Sequence, residues 1–317
     1  MRIPPEAFFL FSSVSIINTK KIFQNMNEEF FIKRYEEIGG KFVEINPKNS
    51  IRINTLKIGT EELKKRLMNK GIQLESINFV SYGFYYKTNF SLGATTEYLL
   101  GYYYIQEAAS MLPAEILNPD KNDLVLDMAA APGSKTTQLS EIMGNKGLII
   151  AVEKNPKRAK VLCNNIERMG CKNICVINKD ILDFKPKIMF DKILLDAPCS
   201  GNYITDKDWF KKRDIKGVLK NSEYQKKLIK KAYDLLKEGG ILVYSTCSLE
   251  PEEDEEVVDY ATKIGFKILP IEKSIGDEGI TNFGKKVFDE ETKLTKRFWP
   301  HKTNTQGFFI AKMKKVS

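Results

Sequence analysis

The sequence predicts an α/β fold: an open, mostly parallel sheet with helices on both faces, preceded by a small α+β domain. Three observations predict it. Between residues 124 and 246, short apolar runs alternate with helix-length stretches, the pattern of repeated strand-helix-strand units. Several of those runs end in a carboxylate or a thiol, so one edge of the sheet would collect the chemistry-bearing residues. A chain of 317 residues also exceeds what one core usually holds, which leaves room for a second unit. The expected units are an extension over 1–25, a small α+β domain over 26–112 and the larger domain over 113–317.

The first stretch contains the apolar run Phe8-Phe9-Leu10-Phe11, but only Arg2 precedes it as a cation and no small-residue cleavage site follows. It reads as a non-secretory extension, disordered or upstream of the true start, because Met26 directly precedes an acidic helix start at Asn27-Glu28-Glu29. The small domain then predicts a helix near Phe31 to Ile38, a strand at Ser50 to Asn54, a helix at Glu61 to Lys70 and strands near Phe79 to Tyr86. Its aromatics, Tyr82, Phe84, Tyr85, Tyr86, Tyr98 and Tyr102 to Tyr104, are core residues in the ordinary reading and stacking surfaces for unpaired bases in the functional one. Gln106-Glu107-Ala108-Ala109-Ser110 predicts the start of a helix that runs through Leu117, ends before Pro119 and joins the two domains.

The larger domain opens with the strand Leu124-Val125-Leu126-Asp127-Met128, the loop Ala129-Ala130-Ala131-Pro132-Gly133-Ser134-Lys135 and a helix through Thr137, Leu139 and Ile142. Small residues let a loop backbone approach a ligand, and the helix after it offers unpaired N–H groups to an anion, so the unit reads as a nucleotide-binding entry. The next strand, Leu148 to Val152, ends in Glu153, about 20 residues past the loop, where a doubly wound fold places the carboxylate that binds ribose hydroxyls. After a helix from Pro156 to Met169, the strand Ile174 to Ile177 leads to Asp180, which can accept from an adenine amino group or simply cap a turn with Asp183. Arg158 and Lys135 read either as a solvated helix face or, for Lys135, as a cation that orients Asp196 or the substrate. Cys163, Cys171 and Cys175 read as packing.

Two further strands carry thiols. The run Leu194-Leu195 ends in Asp196-Ala197-Pro198-Cys199-Ser200-Gly201, and Ile241-Leu242-Val243-Tyr244 ends in Ser245-Thr246-Cys247-Ser248. Parallel strands would deliver both cysteines and Asp196 to one edge, an arrangement suited to covalent chemistry. The acidic run Glu252 to Glu256 after Pro251 reads as helix capping. Between the thiols, Lys207, Lys211, Lys212, Arg213, Lys216 and Lys220 begin a basic stretch on which a phosphate backbone would dock. Phe266 to Leu269 and Gly307 to Lys312 predict the last two strands, antiparallel at the edge.

Composition bounds the rest. A formal charge of +9 suits a polyanionic partner, and no stretch is long enough to span a bilayer. Five cysteines without framework spacing imply a reducing compartment, hence the cytoplasm. The single histidine, His301, excludes a His-rich metal site and a mechanism needing two imidazoles, so no metal is expected.

These ordered motifs resemble the NOP2/Sun family of RNA cytosine-5 methyltransferases, over nearly everything from Asn49 to Lys312. Arg52-Ile53-Asn54-Thr55-Leu56 resembles the family's N-terminal RNA-binding segment, and Gln106 to Ser110 its helix into the catalytic domain. Asp127 to Lys135 resembles its S-adenosylmethionine loop, with Ala129 where Cys is usual and Ser134 where Gly is usual. The resemblance implies a class I S-adenosylmethionine-dependent, Rossmann-like fold with a seven-stranded sheet. It further implies cofactor contacts from Ala129 to Lys135, Glu153, Arg158, Asp180 and Asp196, with Cys247 as nucleophile and Cys199 as the residue needed for product release.

Carbon 5 of cytosine is too weak a nucleophile to take a sulfonium methyl unaided, so a thiolate must first add at carbon 6. The expected catalytic set is therefore Cys247, Cys199, Asp196 and Lys135, acting as a monomer on an unpaired or flipped base. A compact chain without an appended RNA-binding module points to tRNA over rRNA. Three readings compete. Exocyclic amine methylation is disfavoured by Ala197 and Cys199, a non-catalytic RNA-binding protein by the two intact cysteine motifs, and a dehydrogenase by the missing G-x-G-x-x-G.

Overall fold

The structure is a computed structural model and describes residues 26–316; the expected extension over 1–25 lies outside them. Helix α1 covers 26–37 and buries Phe31 and Tyr35 against Tyr203, Trp209 and Trp299, residues of the larger body rather than of the small sheet. A four-stranded antiparallel sheet follows, from β1 (Ser50–Ile53), β2 (Gln73–Ser76), β3 (Gly83–Lys87) and β4 (Tyr103–Ile105), in the order β2-β3-β1-β4, with α2 (Thr60–Met68) and α3 (Thr96–Leu99). The strand β2 was not expected. It is a polar edge strand with three of its four residues exposed, so no alternation marks it.

The expected helix from Gln106 begins late. A 3₁₀ turn at Ala109–Met111 leads into α4 (Leu112–Leu117), because Gln106 is committed elsewhere: it accepts from Arg52 Nη1 at 2.6 Å and donates to the Ser110 carbonyl at 3.0 Å. Arg52 is itself buried, and its guanidinium also meets the Ser134 carbonyl, Thr137 and Glu141. The segment that resembles an RNA-binding stretch thus uses Arg52 to clamp the small sheet to the helix after the loop.

The large sheet has nine strands. Its parallel part is β5 (Leu124–Asp127), β6 (Leu148–Val152), β7 (Ile174–Ile177), β8 (Phe190–Asp196) and β9 (Leu236–Thr246), ordered β9-β8-β5-β6-β7. Alternate residues go to opposite faces, as strand geometry requires. Val125, Ile149, Leu194 and Val243 pack beneath α4 and α5 (Ser134–Ile142), whereas Leu126, Ile150, Leu195 and Tyr244 pack beneath α8 (Ile215–Leu235) and α9 (Glu255–Lys263). Between them lie α6 (Pro156–Met169) and the short α7 (Trp209–Lys212). Helix α6 has both ends written in its sequence: Asn155 caps the amides of Lys157 and Arg158, Pro156 takes the first turn and Gly170 closes it in the left-handed region.

The last strands depart from the expectation. After β10 (Phe266–Leu269) come the short β11 (Asp277–Glu278), β12 (Asn282–Phe283), β13 (Lys286–Val287) and β14 (Lys296–Phe298), and then β15 (Phe308–Lys315). Strand β15 does not form the edge: it runs antiparallel inside the sheet, with β9 on one side and β14 and β10 sharing the other. Apart from β14 and β11, the sheet has the expected seven strands.

Candidate active site

The carboxyl ends of β5, β6, β8 and β9 form one edge, and the registers place Asp127 beside Leu194 and Asp196 beside Ser245. The edge carries a crevice and a thiol pair, and Asp196, expected among the cofactor contacts, is not in the crevice lining.

The loop after β5 turns on Gly133, whose φ of +106° lies where L side chains rarely sit. A Cβ there would meet Leu162 Cδ1 at 2.9 Å, so the residue is glycine both for its backbone and for the close packing of α5 on α6. Gly133→Ala is accordingly expected to lower stability by about 1–3 kcal/mol, read as a fall in Tm, and to weaken cofactor binding measured by calorimetry. Beneath the loop, Asp127 accepts from Thr136 Oγ1 at 2.7 Å, and burial pushes its carboxyl up to about 6.

Ala129, Glu153, Arg158 and Asp180 converge on one open crevice, which Pro198 also lines. Its apolar lining comes from Met128, Val152, Ile181 and Leu228. Glu153 is buried and accepts from the Asn155 amide at 2.8 Å, with Arg158 Nη1 3.6 Å from its second oxygen. Asp180 uses one oxygen to cap the Leu182 amide at 3.0 Å, so the turn reading and the crevice reading both hold for it. The loop residues divide: Ala129 lines the crevice, whereas Ala130 and Ala131 are buried against Ala151 and Leu162. Arg158 Nη2 donates to the Ala131 carbonyl, which ties the loop to α6. Pro132 and Ser134 hold structure through their carbonyls, which accept from Asn165 and Arg52. Sequence reasoning missed Tyr224 and Leu228, which α8 contributes from far along the chain.

Lys135 Nζ donates to Asp196 Oδ2 at 2.7 Å and to Ser110 Oγ at 2.8 Å, while Ser245 Oγ donates to Asp196 Oδ1 at 2.7 Å. Lys135 is buried, so it is no solvated helix face; it holds Asp196. Asp196 stays about one third exposed, its side chain open to an incoming group. Cys199 and Cys247 are half-buried and free, with their sulfurs 3.0 Å apart. The hydrogen bond from Cys199 holds the Cys247 thiol below its ordinary value against burial and Asp196, and Lys135 adds to the same effect. The same bond and burial push Cys199 well up, with the charge of Glu253 adding. The pair is thus asymmetric, with Cys247 the easier of the two to ionise.

Other expectations need correction. The acidic run does more than cap: Glu255 and Glu256 stand in the first turn of α9 as expected, but Glu252, Glu253, Asp254 and Glu255 are buried, with Glu250 beside them. Cys163 and Cys175 are exposed rather than packed. In the basic stretch, Lys211, Lys212, Lys226 and Lys230 are paired with Asp208, Asp206, Glu223 and Asp234. Among the aromatics, Phe84, Tyr103 and Tyr104 are core, and Tyr82 is exposed.

Glu250 gives a pH test of this buried acid cluster. Its carboxyl is pushed up to about 7 by burial, which outweighs Arg34 at 3.1 Å. A carboxyl raised in the folded state contributes stability below its unfolded value, and that contribution is lost as pH rises through about 7. Glu250→Gln is therefore expected to match the parent Tm near pH 5 and exceed it near pH 8, in paired melting curves.

Comparison with known proteins shows the family. A family model described as 16S rRNA methyltransferase RsmB/F matches residues 114–314, and one described as the N-terminal domain of 16S rRNA methyltransferase RsmF matches 20–108. The chain belongs to the RsmB/F, or NOP2/Sun, family of RNA cytosine-5 methyltransferases. It is 39% identical to the tRNA (cytosine(49)-C(5))-methyltransferase of Pyrococcus abyssi, over 91% of this chain and 92% of that one. It is 40% identical to the human 28S rRNA (cytosine(4447)-C(5))-methyltransferase, over 84% of this chain and 34% of that one. The chain spans between about a third and three fifths of the length of the curated rRNA relatives it matches. Among solved structures, a methyltransferase homologue from Pyrococcus horikoshii superposes with a TM-score of 0.78 at 39% identity, over 85% of this chain and 87% of that one.

S-adenosylmethionine is the cofactor of this family, and the crevice fits it. A nucleoside needs apolar faces for its base and acceptors for its hydroxyl and amino groups. Met128, Val152, Ile181 and Leu228 provide the first, and the Glu153 and Asp180 carboxylates the second.

Proposed function

We propose that this chain methylates carbon 5 of a cytosine in tRNA, with Cys247 as the covalent nucleophile. The tRNA reading rests on one observation: the match to the Pyrococcus abyssi tRNA enzyme runs nearly end to end in both chains, whereas the match to the human rRNA enzyme accounts for a third of the latter. The covalent reading rests on the Cys199–Cys247 contact beside Lys135 and Asp196.

Glu153 and Asp180 would hold S-adenosylmethionine in the crevice, where it would supply an electrophilic methyl group. The protein does the rest. The Cys247 thiolate adds to carbon 6, forming an Sγ–C6 bond and moving the electron pair of the ring double bond to carbon 5. Asp196, fixed by Lys135 and Ser245, accepts from the amino group on the polar edge of the base, and the Lys135 cation beside it offsets the negative charge that addition places on the ring. After carbon 5 has gained its methyl group, its proton passes to water, the C5–C6 double bond re-forms and the Sγ–C6 bond breaks to return the thiolate. Cys199, 3.0 Å from Cys247, takes part in that release directly or through water. The unit 26–112 would position the RNA around the target, with exposed Tyr82 as a stacking surface. The reading is of a monomer in the cytoplasm, the compartment that five cysteines without framework spacing imply.

The test is methyl transfer from labelled S-adenosylmethionine to bulk tRNA and rRNA, followed by mapping of 5-methylcytosine. Label in tRNA is expected. Label confined to rRNA would keep the chemistry and overturn the substrate, and label in neither, with cofactor bound, would overturn both.

A further inference from the structure

Glu253 and Asp254 lie side by side in the turn before α9, and each holds one cysteine-bearing loop. Both oxygens of Glu253 accept from the Ser200 amide, at 2.9 and 3.2 Å, and Gln225 Nε2 donates both to Glu253 and to the Pro198 carbonyl at 2.9 Å. The two peptide groups that flank Cys199 are therefore fixed by one side-chain pair. Asp254 accepts from Thr246 Oγ1 at 2.6 Å, and that oxygen accepts from the Ser248 amide at 3.2 Å, so the residues on either side of Cys247 are fixed in turn. Tyr244, from β9, donates to the Glu253 carbonyl at 2.6 Å and ties the turn to the strand that ends in Cys247.

Neither carboxylate reaches solvent, and burying such groups is costly, so stability alone does not account for them. Asp254 has Arg297 at 3.3 Å, but Glu253 is held by neutral donors: Ser200, Gln225 and, at 3.4 Å, Asn221. Its charge is directed at the Cys199 loop.

We propose that Glu253 is a positioning residue for the thiol pair, gripping the Ser200 amide so that the Cys199 sulfur stays in contact with Cys247 and serves as its donor. Glu253 opposes ionisation of both thiols and is bonded to the Cys199 loop; at Cys247 the Asp196 carboxylate also opposes ionisation, Lys135 favours it, and the contact with Cys199 tips the balance toward it. The catalytic meaning rests on the proposed reaction; the division of labour between the thiols does not.

The experiment is carbamidomethylation of the full chain by iodoacetamide without RNA, followed peptide by peptide across pH, beside turnover on bulk tRNA. In the parent chain Cys247 is expected to react ahead of Cys199. Glu253→Gln keeps the shape, and Gln225 Oε1, buried without a hydrogen-bond partner among the described residues, can accept from the new amide. That variant is expected to shift the labelling preference toward Cys199 by about tenfold, and to lower kcat on the order of 10²-fold at unchanged KM for the cofactor. Glu253→Asp, which keeps the charge, is expected to restore the preference. An unchanged preference in folded Glu253→Gln overturns the proposal. Should that variant fail to fold, Gln225→Met removes the donor to Glu253 and Pro198 while leaving the charge. It is expected to slow turnover with the preference retained, and parent-like turnover or a reversed preference overturns the proposal. Absence of turnover in every chain, the parent included, would count against the proposed reaction and leave the labelling result to stand alone.

Discussion

Cys247→Ala is expected to abolish methyl transfer, with a loss on the order of 10⁴-fold or more, while cofactor affinity stays within a factor of about two. The reasoning is chemical before it is structural. Without a bond to carbon 6, carbon 5 has no electron pair to offer, and no other side chain at this edge can supply one: Cys199 is pushed up as a thiol, and Lys135 is committed to Asp196 and Ser110. The crevice that would hold the cofactor does not include Cys247 in its lining, so binding survives. Single-turnover methyl transfer and calorimetry on the same preparation separate the two effects.

Cys199→Ala is expected to behave in the opposite way, accumulating a covalent protein–RNA species that resists denaturation while steady-state turnover falls on the order of 10²–10⁴-fold. The alanine leaves Cys247 able to add to the base but removes its hydrogen-bond partner at 3.0 Å, and with it the support for the departing sulfur. Loss of that bond also returns the Cys247 thiol toward its ordinary value, so addition slows somewhat; release slows more, and the adduct builds up. Denaturing gel electrophoresis with end-labelled tRNA reads the outcome. Ordinary turnover with no retained RNA would remove Cys199 from the reaction.

Much of this site was legible before any coordinates. Asp127, Glu153, Asp196 and Cys247 each follow a short apolar run, and a parallel sheet places the ends of such runs on one edge, so the sequence order alone brings them together. The helix α6 was legible at both ends because Asn155, Pro156 and Gly170 act locally. What was not legible depends on partners distant in the chain. The acidic run after Pro251 has the composition of a helix cap; only folding shows that Arg34, Arg297, Ser200, Gln225 and Thr246 arrive to satisfy it. Arg52 reads as a nucleic-acid contact until Gln106, Thr137 and Glu141 close around it. Strand β15 reads as an edge strand because its place between β9 and β10 is a matter of topology, not of pattern. The three alanines of the cofactor loop look alike in sequence, yet Leu162 covers two of them and leaves Ala129 facing the crevice.

The central claim is that Cys247 bonds to carbon 6 of a cytosine. Fluorine at carbon 5 cannot leave as a proton does, so RNA carrying 5-fluorocytosine should hold the addition product in place. The measurement is digestion of the complex formed by the parent chain, cofactor and 5-fluorocytosine tRNA, with mass spectrometry of the peptide that carries the nucleotide. The account predicts one modified nucleotide on Cys247, shifted in mass by the transferred methyl group. A nucleotide on Cys199 or any other residue, or no covalent product from a chain that forms 5-methylcytosine in ordinary tRNA, would contradict it.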